Sequence, residues 1–412
     1  MKGTKIYRIG LAVLITVTLL TASGVYYGVC RQSIPDTIQL VIGNESEFDY
    51  KIPAIGVISD ESEEIDTVDL KTRFALKSAQ SGNYTMKTKL FGFVKLKEVA
   101  IEALERKTAV PSGKITGIYI ETNGLFVIDT AEISTKEGTK TPSKGKLNSG
   151  DYITKLDGTA VDSKMDFLER INASKGKAVV LTVIRDGSSK KVRIKPAADE
   201  EDGQYKIGAY IRNNTQGIGT ITYTQGQDFA ALGHGISDID LGSLLSIRGG
   251  EIYQAEITNI KKGSAGSPGE IVGMIDYKEE NLKGSIRKNT ENGIFGTFFQ
   301  EQKAEKAMPI ALKQEVKEGN AKIVSYVSGE KAEYDIKITK VDKGNHEKLK
   351  GMSIKVTDRK LKKLTNGIVQ GMSGSPIIQD GKLVGAVTHV FVSDPTKGYG
   401  IFAETMAEEG EK

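Results

Sequence analysis

The run Gly371-Met372-Ser373-Gly374-Ser375-Pro376 carries the residue types that acyl transfer requires. A serine acts as a nucleophile when its hydroxyl sits on an exposed turn, a base lies within hydrogen-bond reach and N–H donors face the developing oxyanion. Glycines on both sides let the backbone turn sharply and aim the Gly371 and Ser373 N–H groups at one point. The competing reading of the run is a plain glycine-rich turn. A second run, Gly263-Ser264-Ala265-Gly266-Ser267-Pro268, matches it at both glycines, the second serine and the proline. Ala265 stands there in the place of Ser373, so this second run reads as a related turn without a nucleophile, from the other half of a doubled fold.

A serine nucleophile needs a base, and histidine suits neutral pH. Of the 3 histidines, His234 ends the apolar run Phe229-Ala230-Ala231-Leu232 between Gly233 and Gly235. His389 lies on the strand that follows the serine turn and is the rival base. His346, in Lys343-Gly344-Asn345-His346-Glu347, reads as a loop residue. The third member of a triad orients the imidazole. Asp358 closes a short strand and gives the order His, Asp, Ser, with Asp335 and Asp342 as alternatives; Asp238 and Asp240 lie near His234 in sequence. The serine run resembles the nucleophile turn of chymotrypsin-like peptidases, with Met372 and Ser375 as departures, and the placing of His234 resembles their Ala-Ala-His.

Positioning elements must surround these residues. The stretch Ile9 to Val29 is uncharged and long enough to cross a hydrocarbon core of about 30 Å as a helix. Lys2, Lys5 and Arg8 precede it, which keeps residues 1–8 in the cytoplasm and places the rest outside. A cleaved signal peptide, with small residues at Thr21-Ala22-Ser23, is the alternative, and Cys30 also raises lipidation. Residues 30–107 read as a β-rich spacer, with an acidic loop over Asp60–Asp69 and a hairpin around Phe91-Gly92-Phe93.

Residues 108–198 form a second unit. Strands are expected over 115–120 and 124–128 around an Asn123-Gly124 turn. A helix over Ser163–Ala173 follows, capped by Asp162 or Ser163, with Met165, Leu168 and Ile171 on one face. Strands over 179–184 and 191–194 close the unit around Arg185-Asp186-Gly187. The string Gly150-Asp151-Tyr152-Ile153, ending at Asp157-Gly158, together with the helix and hairpin, is similar to a PDZ domain of the bacterial protease type. Such domains take a peptide as an added strand and hold its carboxylate on backbone N–H groups; the resemblance implies Thr116, Gly117 and Ile118 for that loop. Lys136 to Lys146 is a polar insert in this pattern. Residues 203–412 carry short glycine-bounded strands, as in a sandwich or a pair of barrels.

Composition excludes other classes. The 46 glycines against 9 prolines suit many tight turns, and a net charge of +4 with scattered lysines makes no basic stripe, so nucleic acid is not an expected partner. One cysteine permits no internal disulfide, and no metal-ligand spacing is present, so no metal or cofactor is implied.

Taken together, anchor, PDZ-like unit, the run Leu232-Gly233-His234-Gly235-Ile236-Ser237-Asp238, the serine turn and Gly385-Ala386-Val387-Thr388-His389-Val390 resemble the stage IV sporulation protein B family of PDZ-containing serine peptidases. The resemblance implies a mainly β fold with an N-terminal transmembrane helix, a small β-rich region, a PDZ domain and a chymotrypsin-like double β-barrel peptidase domain. It also implies a triad of His234, Asp358 and Ser373 and an oxyanion hole of the Gly371 and Ser373 N–H groups. Its substrates would be the chain itself and a membrane-embedded regulator of an intramembrane protease, cut in the space between the two spore membranes to activate a late sigma factor. A catalytically silent PDZ scaffold for membrane-protein tails and a general envelope quality-control protease are the rival functions. Ser264→Ala and Ser267→Ala are expected to keep covalent labelling by a serine-directed phosphonate, and Ser373→Ala to abolish it. Loss of labelling in either of the first two variants would move the nucleophile.

Overall fold

The computed structural model describes residues 2–60, 63–161, 163–302, 305–344 and 348–411; Asp162 and His346 lie outside them. The chain divides into two units, Met1–Lys107 and Thr108–Lys412.

In the first unit, helix α1 spans Lys2–Ser33. Its stretch Tyr7–Ser33 is long and apolar enough to cross a membrane. The last turn is different: Cys30 is buried, and with Ile34 it joins the core of a five-stranded sheet that includes Met86, Leu96, Val99 and Ile101. The expected hairpin is present as strands Gly82–Leu90 and Val94–Leu104, and Phe91 and Phe93 stand exposed at its tip. The acidic stretch, expected as a loop, instead supplies an exposed edge strand over Glu63–Asp69, because its pairing with Ala54–Asp60 needs only backbone groups.

The second unit contains two barrels. One ring closes through strands Ile115–Thr130, Ile247–Lys261, Leu282–Thr290, Gly293–Phe298, Asp228–Ala231 and Ala209–Gln225, the last pairing back onto the first. Alternate inward residues such as Ile118, Ile120, Ile221, Phe229, Ile252 and Ile294 fill it. The other is a closed barrel of Gly319–Ser325, Ala332–Val341, Met352–Val356, Asp394–Phe402, Lys382–Phe391 and Pro376–Gln379, packed around Ile323, Ile336, Ile354, Ile377 and Val387. The double-barrel expectation holds.

The PDZ-like unit departs from expectation at two places. Asn123-Gly124 is not a hairpin turn: one strand runs unbroken over Ile115–Thr130. Gly124 has φ +105, and a Cβ there would lie 2.6 Å from the Ile153 carbonyl oxygen, so glycine here admits a close strand rather than a reversal. The strand therefore belongs to the barrel over its first half and to the PDZ sheet over its second, where Leu125 and Phe126 pair with Ile153 and Tyr152.

Helix α2, Lys164–Ala173, is capped by Ser163, whose hydroxyl accepts the Asp166 N–H. Its buried residues are Phe167 and Ile171, four apart on one face, not Met165 and Leu168, which are 71% and 44% exposed. Two further helices, Arg359–Thr365 (α3) and Ala403–Glu411 (α4), were not anticipated from the sequence pattern. Ile171→Ala is expected to lower unfolding free energy by about 2–5 kcal/mol, as large-to-small core changes do. Met165→Ala should stay within about 0.5 kcal/mol; chemical denaturation distinguishes the two.

Candidate active site

His234 follows the barrel strand Asp228–Ala231 through two residues in left-handed conformation, Leu232 at φ +68 and Gly233 at φ +70. A non-glycine residue in that region is strained and is held by its surroundings. For Leu232 the hold is a buried side chain in the first barrel core and an N–H donated to the Thr220 carbonyl at 3.1 Å.

Ser373 lies between α3 and the strand Pro376–Gln379 of the second barrel. Gly374, at φ +95, lies so close to the histidine turn that a Cβ would meet the Thr220 carbonyl oxygen at 2.3 Å and the Leu232 nitrogen at 2.6 Å. The Thr220 hydroxyl donates to the Gly371 carbonyl at 2.6 Å. The serine turn and the histidine turn thus meet backbone to backbone, with buried Thr220 bonded to both. Met372 is wholly buried in the second barrel core, which explains an apolar residue at that point of the run.

Ser373 is half-buried and its hydroxyl donates to the Thr388 carbonyl at 2.8 Å. His389 follows directly, and its ring lies 5.2 Å from that of His234, centroid to centroid. His234 Nδ1 is 2.8 Å from the Gly235 carbonyl oxygen. A carbonyl only accepts, so Nδ1 carries the proton and Nε2 keeps the basic lone pair. Burial holds the His234 pKa below its ordinary value, against the opposing bond to Gly235. His389 is lowered by burial, then by His234 and Lys350. Both imidazoles are therefore neutral at neutral pH, the state a general base needs. Among the described residues neither the Gly371 nor the Ser373 N–H has a hydrogen-bond partner, as donors kept for an oxyanion would be.

The structure brings Ser373, His234 and His389 together; it does not bring Asp358 to them. Asp358 is the N-cap of α3: one carboxylate oxygen accepts the Leu361 N–H at 2.8 Å and the other faces the Asp335 N–H at 3.5 Å. A residue at the end of a strand and the start of a helix meets unpaired N–H groups, and aspartate satisfies them. Asp342 closes a local turn on Gly344. Asp238 is fully buried and paired with Arg212 at 2.5 Å, while Asp240 bonds the same guanidinium at 3.0 Å. No carboxylate among the described residues is bonded to His234, and the Gly235 carbonyl takes the orienting place.

The expected peptide loop is also corrected. Thr116, Gly117 and Ile118 lie inside a strand paired on one side with Gly219, Ile218 and Gly217 and on the other with Gln254, Tyr253 and Ile252. Their backbone is committed to both neighbours and offers no site for a carboxylate. The turn Gly263–Pro268 joins Ile247–Lys261 to Glu270–Ile275. It leads into a parallel bridge, in which Gln370 donates to Gly269 and Ile271 donates to Gln370, just ahead of the serine turn. Thr220 and Thr388 were missed from the sequence, since a buried threonine on a strand has no signal of its own.

Comparison with known families assigns the two regions. Residues 203–407 match the SpoIVB peptidase S55 model, and residues 124–195 match the PDZ domain model. Among solved structures, the PDZ domain of the SdrC-like protein from Listeria monocytogenes is 26% identical, covering 22% of this chain and 87% of that one with a TM-score of 0.19. The corresponding domain from Listeria innocua is 28% identical, covering 21% and 94% with a TM-score of 0.17.

Two outcomes test this geometry. Because burial lowers the His234 pKa from 6.5, the base stays neutral as pH falls through that value, so the acid limb of Ser373 labelling by a phosphonate is expected below pH 6.5. A limb at or above 6.5 contradicts the assignment. Asn caps a helix about as well as Asp, whereas Ala costs about 1 kcal/mol. Asp358→Asn should therefore keep both stability and labelling, and Asp358→Ala should lose both in part. An unchanged melting temperature with a hundredfold slower rate in Asp358→Asn would place that carboxylate in the catalytic step.

Proposed function

Since this chain belongs to the SpoIVB S55 family of PDZ-containing serine peptidases, we propose that it is a membrane-anchored signalling endopeptidase that cuts itself and a membrane-embedded regulator of an intramembrane protease. The observation that carries the peptidase chemistry is the meeting of the Ser373 and His234 turns across the two barrels, with two N–H groups at the serine left unpaired among the described residues. In this reading Ser373 Oγ attacks the scissile carbonyl and His234 Nε2 takes its proton. The Gly371 and Ser373 N–H groups hold the oxyanion, and His234 then returns the proton to the leaving amine. His389 lines the same site. Asp358 acts as a positioning residue, through the helix that leads into the serine turn. Beyond His389, a shallow apolar hollow formed by Val390, Phe391, Val392 and Tyr399 with Ala265 and Gly266 suits an apolar substrate side chain.

Residues 9–29 serve as the membrane anchor. The basic residues ahead of them support a cytoplasmic N-terminus, with the PDZ and peptidase regions on the far side, in the space between the two spore membranes. Self-cleavage then releases the body from the anchor. A single regulatory cut predicts one or a few discrete products, whereas quality-control proteolysis degrades unfolded proteins broadly.

The test compares peptide termini that appear with the wild-type chain and are absent with Ser373→Ala. Discrete new termini, in the chain itself and at an apolar residue of the substrate, are expected. Broad digestion of casein would favour a general protease. Identical intact profiles for both chains would favour a silent scaffold.

A further inference from the structure

An extended peptide binds a PDZ domain by adding a strand to an open sheet edge beside a helix. In this chain that edge belongs to residues 125–130, next to α2, and it is occupied. Ala209, Tyr210, Ile211 and Arg212 pair antiparallel with Thr130, Asp129, Val127 and Phe126. Ile211 is buried in the PDZ core with Val127, Phe167 and Ile171, while Tyr210 is 63% exposed. The fit is incomplete. Register shifts interrupt the ladder between Tyr210 and Ile211 and between Arg212 and Asn214. A cavity of about 400 Å³ persists between this segment and α2, lined by Ile128, Lys164, Leu168 and Asn213 among others. Leu168 and Met165 remain exposed beside it, apolar side chains that a better-fitting ligand would cover.

The same segment reaches the active site by two routes. Arg212 bonds Asp238 and Asp240 in the loop that follows His234. Asp238 is fully buried and accepts the Asp240 and Leu241 N–H groups, so its carboxylate shapes that loop and Arg212 is the cation that balances it. Further along, the strand Ala209–Gln225 carries Thr220, which is bonded to both catalytic turns. Withdrawing Arg212 leaves a buried charge without its partner, a state the loop relieves only by moving.

We propose that residues 209–213 are an internal ligand of the PDZ edge. An extended peptide with an aliphatic side chain at the place of Ile211 exchanges for them, and Arg212 transmits that exchange to the His234 loop. With the internal strand docked, Ser373 donates to the Thr388 carbonyl, a resting bond; peptide binding releases the loop and raises nucleophile reactivity. Arg212 is a positioning residue in this scheme.

Two measurements on the full chain in detergent test the exchange. In native-state hydrogen exchange, the amides of 209–213 are expected to exchange at least tenfold faster than those of 217–225 on the same strand; equal protection overturns the proposal. The second measurement uses Asp129→Cys with Tyr210→Cys. These exposed residues are cross-strand partners, and the native Cys30 is buried. Oxidation would staple the segment to the edge. A fluorescein-labelled peptide copying residues 205–216 is expected to bind the reduced form at least tenfold more tightly than the oxidised form, read by anisotropy, and to speed phosphonate labelling of Ser373 only in the reduced form. Arg212→Gln should bind the peptide with unchanged affinity yet lose the labelling response. Equal binding by the oxidised and reduced forms, or binding by neither, overturns the internal ligand. A response preserved in Arg212→Gln overturns its role in transmission. Labelling depends on Ser373 as nucleophile and hydrogen exchange does not, so failure of the two readings can be told apart.

Discussion

Thr220 connects the two halves of the candidate site. Its hydroxyl donates to the Gly371 carbonyl and its own carbonyl accepts the Leu232 N–H, so a single buried residue bonds the turn that carries Ser373 and the turn that leads to His234. Neither turn is a comfortable conformation alone: Leu232 is a left-handed non-glycine residue, and Gly374 has a φ that other residues rarely adopt. Contacts at this depth are worth more than at the surface, because the alternative is an unsatisfied polar group away from water. The two barrels supply rigid walls, and the close approach at Gly374 leaves no space for a side chain between them. Precision at the site thus comes from backbone packing, with few side chains involved.

The candidate site was legible where it lies in contiguous runs. Ser373 with its glycines and His234 at the end of an apolar strand can be read because turn geometry and local sequence specify each other there. The double barrel was legible for a similar reason, since short glycine-bounded strands leave few other architectures. Asn123-Gly124 misled because the same dipeptide serves a tight hairpin and a strand pressed against a neighbour; only the position of Ile153 decides between them. The loop that the PDZ resemblance implied at Thr116–Ile118 failed because those residues are paired with a strand on each side. On α2, the apolar residues at 165, 168 and 171 outlined a plausible face, yet Phe167 offers more area to bury and turns the helix its own way.

Asp358 shows a different limit. An aspartate after a strand and before the catalytic serine fits a triad, and it fits a helix cap equally well, because both roles ask for a carboxylate that accepts N–H bonds. Sequence order cannot separate them; the short helix Arg359–Thr365, too brief to give a clear period, is what does. Likewise Asp238, noted only for lying near His234 in sequence, is paired with Arg212 by the fold. Long-range pairings of this kind leave no local trace.

The unbroken strand Ile115–Thr130 has a consequence for how such a chain is inherited. Modular proteins usually exchange domains at exposed linkers, where a cut severs few contacts. Here the PDZ sheet and the first barrel share one piece of backbone, and the returning strand Ala209–Gln225 is shared in the same way. A cut at the family boundary of 124 falls inside the strand Ile115–Thr130, between the residues paired in the barrel and those paired in the PDZ sheet. A change in length or register in either shared strand therefore shifts the PDZ sheet and the first barrel together, whereas the loops can change in one without the other.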